Sequence, residues 1–125
     1  MSTNGVFYIH AQEEDTDILC GLLSHYDGYP EGYGKEIEDF LKSITLVNGL
    51  NPKQQNKRVA NGMDCLAAQL VVHFKKRPGD FYLGSESYLQ HDYPFEYHVF
   101  CQDSTLYIKA FDRKHNILYC RQVGK

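Results

Sequence analysis

Apolar residues recur at helical spacing along 55–76, where Val59, Met63, Leu66, Ala67, Leu70, Val71 and Phe74 follow an i, i+3, i+4, i+7 pattern. Lys57, Arg58, Asp64, Gln69, Lys75 and Lys76 take the other face or the ends, so the pattern predicts one long amphipathic helix. The basic run Lys75-Lys76-Arg77 suits a helix C-terminus, and Pro78-Gly79 stops it. Gly62 falls inside this predicted helix at a cost of about 1 kcal/mol relative to Ala. A shorter helix is predicted over 34–44, with Ile37, Phe40, Leu41 and Ile44 on one face and Glu36, Glu38 and Asp39 early, where the helix dipole favours them.

Elsewhere the pattern reads as strands. Residues 5–11 and 17–25 form a predicted hairpin around the polar turn QEEDTD, and 80–84 a short strand. Residues 95–102, 105–111 and 117–123 make a meander in which Phe95, Tyr97, Val99 and Cys101 share one face, as do Leu106, Ile108 and Ala110. TLVNGLNPK after the first helix carries Asn-Gly and Asn-Pro and reads as a connector. The order β-β-α-α-β-β-β-β segregates helices from strands. It predicts an α+β fold, with two helices packed on a mainly antiparallel sheet and a single domain over 1–125.

Composition narrows the function classes. The chain has 125 residues, enough for one core. With 13 Lys+Arg against 16 Asp+Glu and a net charge of −3, it lacks an electrostatic drive toward nucleic acid. No apolar run has the roughly 18–20 residues of a membrane span. The first residues lack the basic-then-apolar order of a secretory signal, so a cytoplasmic, non-membrane protein is expected. Cys20, Cys65, Cys101 and Cys120 show no CxxC pairing and are expected to be buried, reduced thiols.

Aromatic residues are the unusual feature, with ten Tyr and seven Phe but no Trp. Three of those Tyr fall in HYDGYPEGYG, residues 25–34, whose Gly and Pro content allows only a loop. Turn geometry accounts for Asp27-Gly28 and Tyr29-Pro30, but it does not account for Tyr26, Tyr29 and Tyr33. Those rings either pack beneath the loop or line a recognition surface. A second loop, SESYLQHDYP, repeats the association of His and Asp with Tyr. The candidate binding residues are therefore His25, Tyr26, Asp27, Tyr29, Glu31, Tyr33, Tyr88, His91, Asp92 and Tyr93.

The residues of these loops bear on three kinds of chemistry. His25 with Asp27 has the composition of a base and its orienter, but no Ser or Cys nucleophile stands in a recognisable elbow. His25/Asp27 and His91/Asp92 could supply four metal ligands if the loops met, yet HxxxH and HExxH spacings are missing and no metal or cofactor is expected. Gly32 and Gly34 precede a helix N-terminus, but Glu31, Glu36, Glu38 and Asp39 would repel a phosphate there. A nucleotide would have to stack on tyrosine and take its countercharge from Arg58 or Arg113.

The run His25-Tyr26-Asp27-Gly28-Tyr29-Pro30-Glu31-Gly32 resembles the hallmark of an uncharacterised family of small phage, prophage and bacterial proteins with a His-aromatic-Asp-Gly-Tyr-Pro-Glu-Gly segment. Val59-Ala60-Asn61-Gly62-Met63-Asp64-Cys65-Leu66-Ala67-Ala68-Gln69, His73-Phe74-Lys75 and Phe95-Glu96-Tyr97 are similar to later parts of some members. The resemblance implies a phage or mobile-element setting, in a host-cell cytoplasm, and supplies no catalytic residues. The expected function is a non-enzymatic binding protein whose Tyr-rich loops engage a host or phage protein, interfering with a host process such as immunity. The alternative is a ligand- or nucleotide-binding sponge, or a small hydrolase with a His/Asp/Tyr pocket. A homodimer or higher homo-oligomer could form by pairing Leu118 and Cys120 of the last strand across a twofold axis.

Overall fold

The computed structural model describes residues 3–50, 53 and 58–123. Its elements in chain order are β1 (Gly5–His10), β2 (Ile18–Ser24), α1 (Lys35–Lys42), β3 (Thr45–Val47), β4 (Val59–Asn61), α2 (Gly62–Phe74), β5 (Phe81–Gly84), β6 (Phe95–Gln102), β7 (Thr105–Asp112) and β8 (Ile117–Gln122). Six strands make one sheet in the order β5-β2-β1-β6-β7-β8. Every neighbouring pair is antiparallel except β1 and β6, which run parallel. A parallel pair needs a long crossover, and the helices lie within the chain that makes it. The fold is α+β, with two helices on a mainly antiparallel sheet.

One face of the sheet is the core. Ile37 and Leu41 of α1 and Leu66, Leu70 and Phe74 of α2 pack with Phe7, Ile9, Leu22, Tyr97, Val99 and Ile108. The strand alternation places these residues correctly: Tyr97 lies opposite Ala110, Val99 opposite Ile108 and Cys101 opposite Leu106. Full burial of each large apolar side chain contributes roughly 1.5–3 kcal/mol, which holds the helices to this face. Outside that core, Glu38 of α1 accepts from Arg121 of β8 at 2.9 Å and pairs with Lys42 at 3.1 Å, tying the first helix to the last strand.

Three expectations need correction. The helix predicted from residue 55 begins only at Gly62, and Val59–Asn61 instead forms β4, which pairs in parallel with β3. β3 itself occupies part of the predicted connector. Residues 55–57 lie outside the described residues. The physical reason is Gly62: its φ of +81° breaks the helical path there, so this glycine starts the helix and is not a weak point within it. A hydrogen bond from Gly49 N–H to the Asn61 side chain (2.7 Å) holds the β3–β4 pair closed. Finally, all four cysteines are free but only Cys101 is buried: Cys20 and Cys65 are half-buried, and Cys120, paired with Lys109 on the sheet face away from the helices, is exposed. No helix among the described residues is long and apolar enough to cross a membrane.

Candidate functional site

The 25–34 loop is tied at both ends and underneath. Gly28 N–H donates to Thr3 (2.8 Å), Tyr33 N–H to Asp27 (2.8 Å) and Gly32 N–H to Tyr29 (2.9 Å). Ser24 Oγ donates to the Tyr26 carbonyl. Gly28 lies so close to the start of β1 that a Cβ would come within 2.6 Å of Asn4 and Gly5 backbone atoms, which no other residue could accept. Asp27 takes a left-handed φ of 56°, a conformation Asp tolerates better than most residues.

Within this frame the three tyrosines diverge. Tyr33 turns inward, its ring 4.8 Å from Phe81 and 6.0 Å from Phe74, and serves as packing. Tyr26 is half-buried, and its hydroxyl accepts from Arg77 Nη2 (2.6 Å) and Nε (3.1 Å). Tyr29 is 37 % exposed and donates to Asp27 at 3.3 Å; the Asp27 charge first, and this hydrogen bond with it, raises its phenol above the ordinary value. Exposed His25 stands edge-on to Tyr26 (6.2 Å) and to Tyr82 of β5 (6.4 Å). Glu31 belongs to a separate concavity between α1 and β8, lined also by Lys35, Glu38, Tyr119 and Arg121.

The second loop covers the sheet face away from the helices, the face that Tyr82 also joins by strand alternation. Tyr88 lies over Gly21 and Gly84, where any Cβ would meet its ring, and stands edge-on to Tyr93 at 6.2 Å. His91 leans on Tyr93 at 6.0 Å, and Asp92 is exposed. His25 and His91 thus have different aromatic neighbours. Among the described residues, no three or more His, Cys, Asp or Glu are arranged to hold a metal ion.

Sequence reasoning missed two groups. Tyr82 and Arg77 complete the surface around His25 and Tyr26, and only the pairing of β5 with β2 reveals them. The other group lies on the sheet face away from the helices. There His10 Nδ1 is 3.0 Å from the Thr16 carbonyl, His10 Nε2 is 2.7 Å from His98 Nδ1, and His98 Nε2 is 2.7 Å from Glu96 Oε2. His115 Nε2 reaches the same carboxylate oxygen at 3.2 Å while its ring stacks on Phe111 at 4.5 Å. Tyr8, fully buried beside His98, has a hydroxyl with no hydrogen-bond partner among the described residues. Burial, then the Glu96 charge and neighbouring Tyr93 and Tyr88, raise its phenol well above the ordinary value. The available signal was the alternation itself: if Tyr97 and Val99 face the core, Glu96 and His98 must face the other way.

The chain matches no protein-family model, no curated protein and no solved structure.

Proposed function

We propose that this is a small non-enzymatic binding protein that takes a protein partner along the surface running from Arg77 and Tyr26 through His25 to Tyr82. One observation carries the reading. An aromatic row of exposed His25 and Tyr82 and half-buried Tyr26 runs from the 25–34 loop onto an edge strand, with an arginine already fixed on it by two hydrogen bonds. Tyr and Arg dominate the energetics of protein interfaces because they combine large contact area with polar ends. β5 is an edge strand of the sheet, with Tyr82 48 % and Leu83 63 % exposed. Because Tyr33 is committed to packing, His25, Tyr26 and Tyr29 remain as the loop's contribution. The phage or mobile-element setting implied by the His25–Gly32 resemblance makes a host protein the proposed partner, and interference with a host process the proposed outcome.

A photo-crosslinking residue at Tyr82, compared with one at Leu118 on the opposite sheet edge, tests this in the native host cells. A discrete adduct from position 82 that Arg77→Ala and His25→Ala abolish supports the reading. Equal adducts from both positions, or an adduct indifferent to both substitutions, refutes it.

A further inference from the structure

The hydrogen bonds along Thr16, His10, His98 and Glu96 can be counted, and the count determines a charge. Both ends of the chain are acceptors, a backbone carbonyl at one and a carboxylate at the other. Three bonds between them need three protons among the four ring nitrogens and Glu96: one toward Thr16, one between the rings and one between His98 and Glu96. Two neutral imidazoles carry only two. Completing all three bonds therefore takes one further proton on the set, either as an imidazolium beside the Glu96 carboxylate or on Glu96 with both rings neutral.

We propose that His10, His98 and Glu96 form a single-proton latch that fastens Thr16 of the 11–17 loop and, through Glu96, His115 of the 113–116 turn most tightly while one proton is shared among them. Both loops touch this set. Thr16 lies in the β1–β2 loop, and His115, in the β7–β8 turn with a left-handed φ of 66°, is held by Glu96 and by stacking on Phe111. Remove the proton and one of the three bonds has no hydrogen. Add another and two N–H groups face each other across the 2.7 Å between the rings. Order at both loops should therefore be greatest at intermediate pH and fall on either side.

The surrounding charges agree with this. Glu14 of the 11–17 loop faces His10, and Lys109 of β7, opposite His98, is neutralised by Glu14 at 3.0 Å. Tyr8 on β1 and Tyr88 and Tyr93 above it are neutral phenols. His10 is held below the ordinary histidine range by burial first and also by His98, against the pull of the Thr16 carbonyl, so a second proton is resisted. Burial alone would raise Glu96, but hydrogen bonds from His98 and His115 outweigh it and hold its carboxyl below the usual value.

Imidazole nitrogen NMR on the full chain, followed through a pH titration, tests the latch. The expected result at neutral pH is one proton more than two neutral rings on the His10–His98–Glu96 set, with the Thr16 and His115 backbone signals shifting when that proton is lost or a second is gained. Glu96→Gln is the decisive variant. Its amide can turn to donate to His98 Nε2, which completes all three bonds with both rings neutral and protonated at Nδ1. The variant should keep the Thr16 end ordered and lose its alkaline transition. Two neutral rings beside an ionised Glu96 in the wild type at neutral pH, or a Glu96→Gln protein with an unchanged alkaline transition, would overturn the proposal.

Discussion

Tyr97, fully buried on β6, donates its hydroxyl to the Gly28 carbonyl at 2.8 Å while its ring stacks on Phe7 at 4.5 Å and 8°. One residue thus joins the centre of the core to the middle of the 25–34 loop. Burial raises its phenol far above the ordinary value, so the hydroxyl is a donor at every relevant pH. Tyr97→Phe should cost about 1–3 kcal/mol, because the buried Gly28 carbonyl loses its donor. Urea unfolding would show the loss. Hydrogen exchange should accelerate in the 25–34 loop and leave β6–β7 unchanged; equal acceleration in both would mean that the bond does not serve the loop.

Gly34 is the other half of that anchor. A Cβ on it would come 2.7 Å from the Tyr97 hydroxyl and 3.1 Å from two ring carbons, and the stacked ring has no room to retreat. Its backbone is right-handed helical, so Ala carries no conformational penalty there. Gly34→Ala alone should therefore destabilise by about 1–3 kcal/mol through overpacking. Combined with Tyr97→Phe, the two costs should add to less than their sum, since the closest atom is gone. Strict additivity in a double-mutant cycle would show that the two residues do not press on each other.

The long helix gives the most direct check of the core. Leu66 and Leu70 are fully buried on α2, and either one changed to Ala should cost about 2–5 kcal/mol in a urea titration. Losses under 1 kcal/mol at both would displace α2 from the centre of the fold.

What could be read from the chain divides along physical lines. Periodicity exposed the core because burial repeats: the Leu66–Leu70–Phe74 stripe and the Tyr97–Val99–Cys101 alternation both face the interior. The start of α2 departs from the periodic pattern because Val59 fits the helical period by coincidence, while a local rule, the positive φ of Gly62, ends the pattern there. In the 25–34 loop the excess of tyrosine was visible, but the division of labour was not. Whether a ring turns inward like Tyr33 or stays at the surface like Tyr29 depends on Phe74 and Phe81, far away in sequence. The histidine chain joins His10 to His98 and Glu96 through the parallel β1–β6 pairing, which no local pattern announces.

Substitution at the proposed surface should separate binding from folding. Tyr29→Ala and His25→Ala remove exposed side chains with few partners, so each should leave stability within about 0.5 kcal/mol. Tyr33→Ala empties a site against Phe74 and Phe81 and should cost about 3–5 kcal/mol if the pocket does not collapse. Thermal unfolding of the three variants side by side would decide. A stable Tyr33→Ala together with an unstable Tyr29→Ala would reverse the assignment of packing and recognition.

Asp80 sets the turn that presents Arg77 to Tyr26, and its charge should be visible in acid. Its carboxylate accepts from Lys76 and Arg77 N–H at 3.1 Å each and from Phe81 N–H at 2.7 Å, and it pairs with Lys75 at 3.1 Å. Burial pushes the carboxyl up, but the Lys76 N–H, the Lys75 ammonium and the other two N–H donors outweigh it and hold the group at about 2. In the unfolded chain the same group titrates near 4. The folded value is the lower one, so the ionised carboxylate stabilises the fold above about pH 4, and that contribution disappears as pH falls toward about 2. Asp80→Asn loses the Lys75 pair and turns an amide NH₂ toward backbone donors, so at neutral pH it should unfold at lower urea than the wild type. The gap between the two midpoints should narrow steadily between about pH 4 and about pH 2, where the wild-type carboxyl also loses its charge. A gap that stays constant across that range would show that the turn depends on the shape of Asp80 and not on its charge.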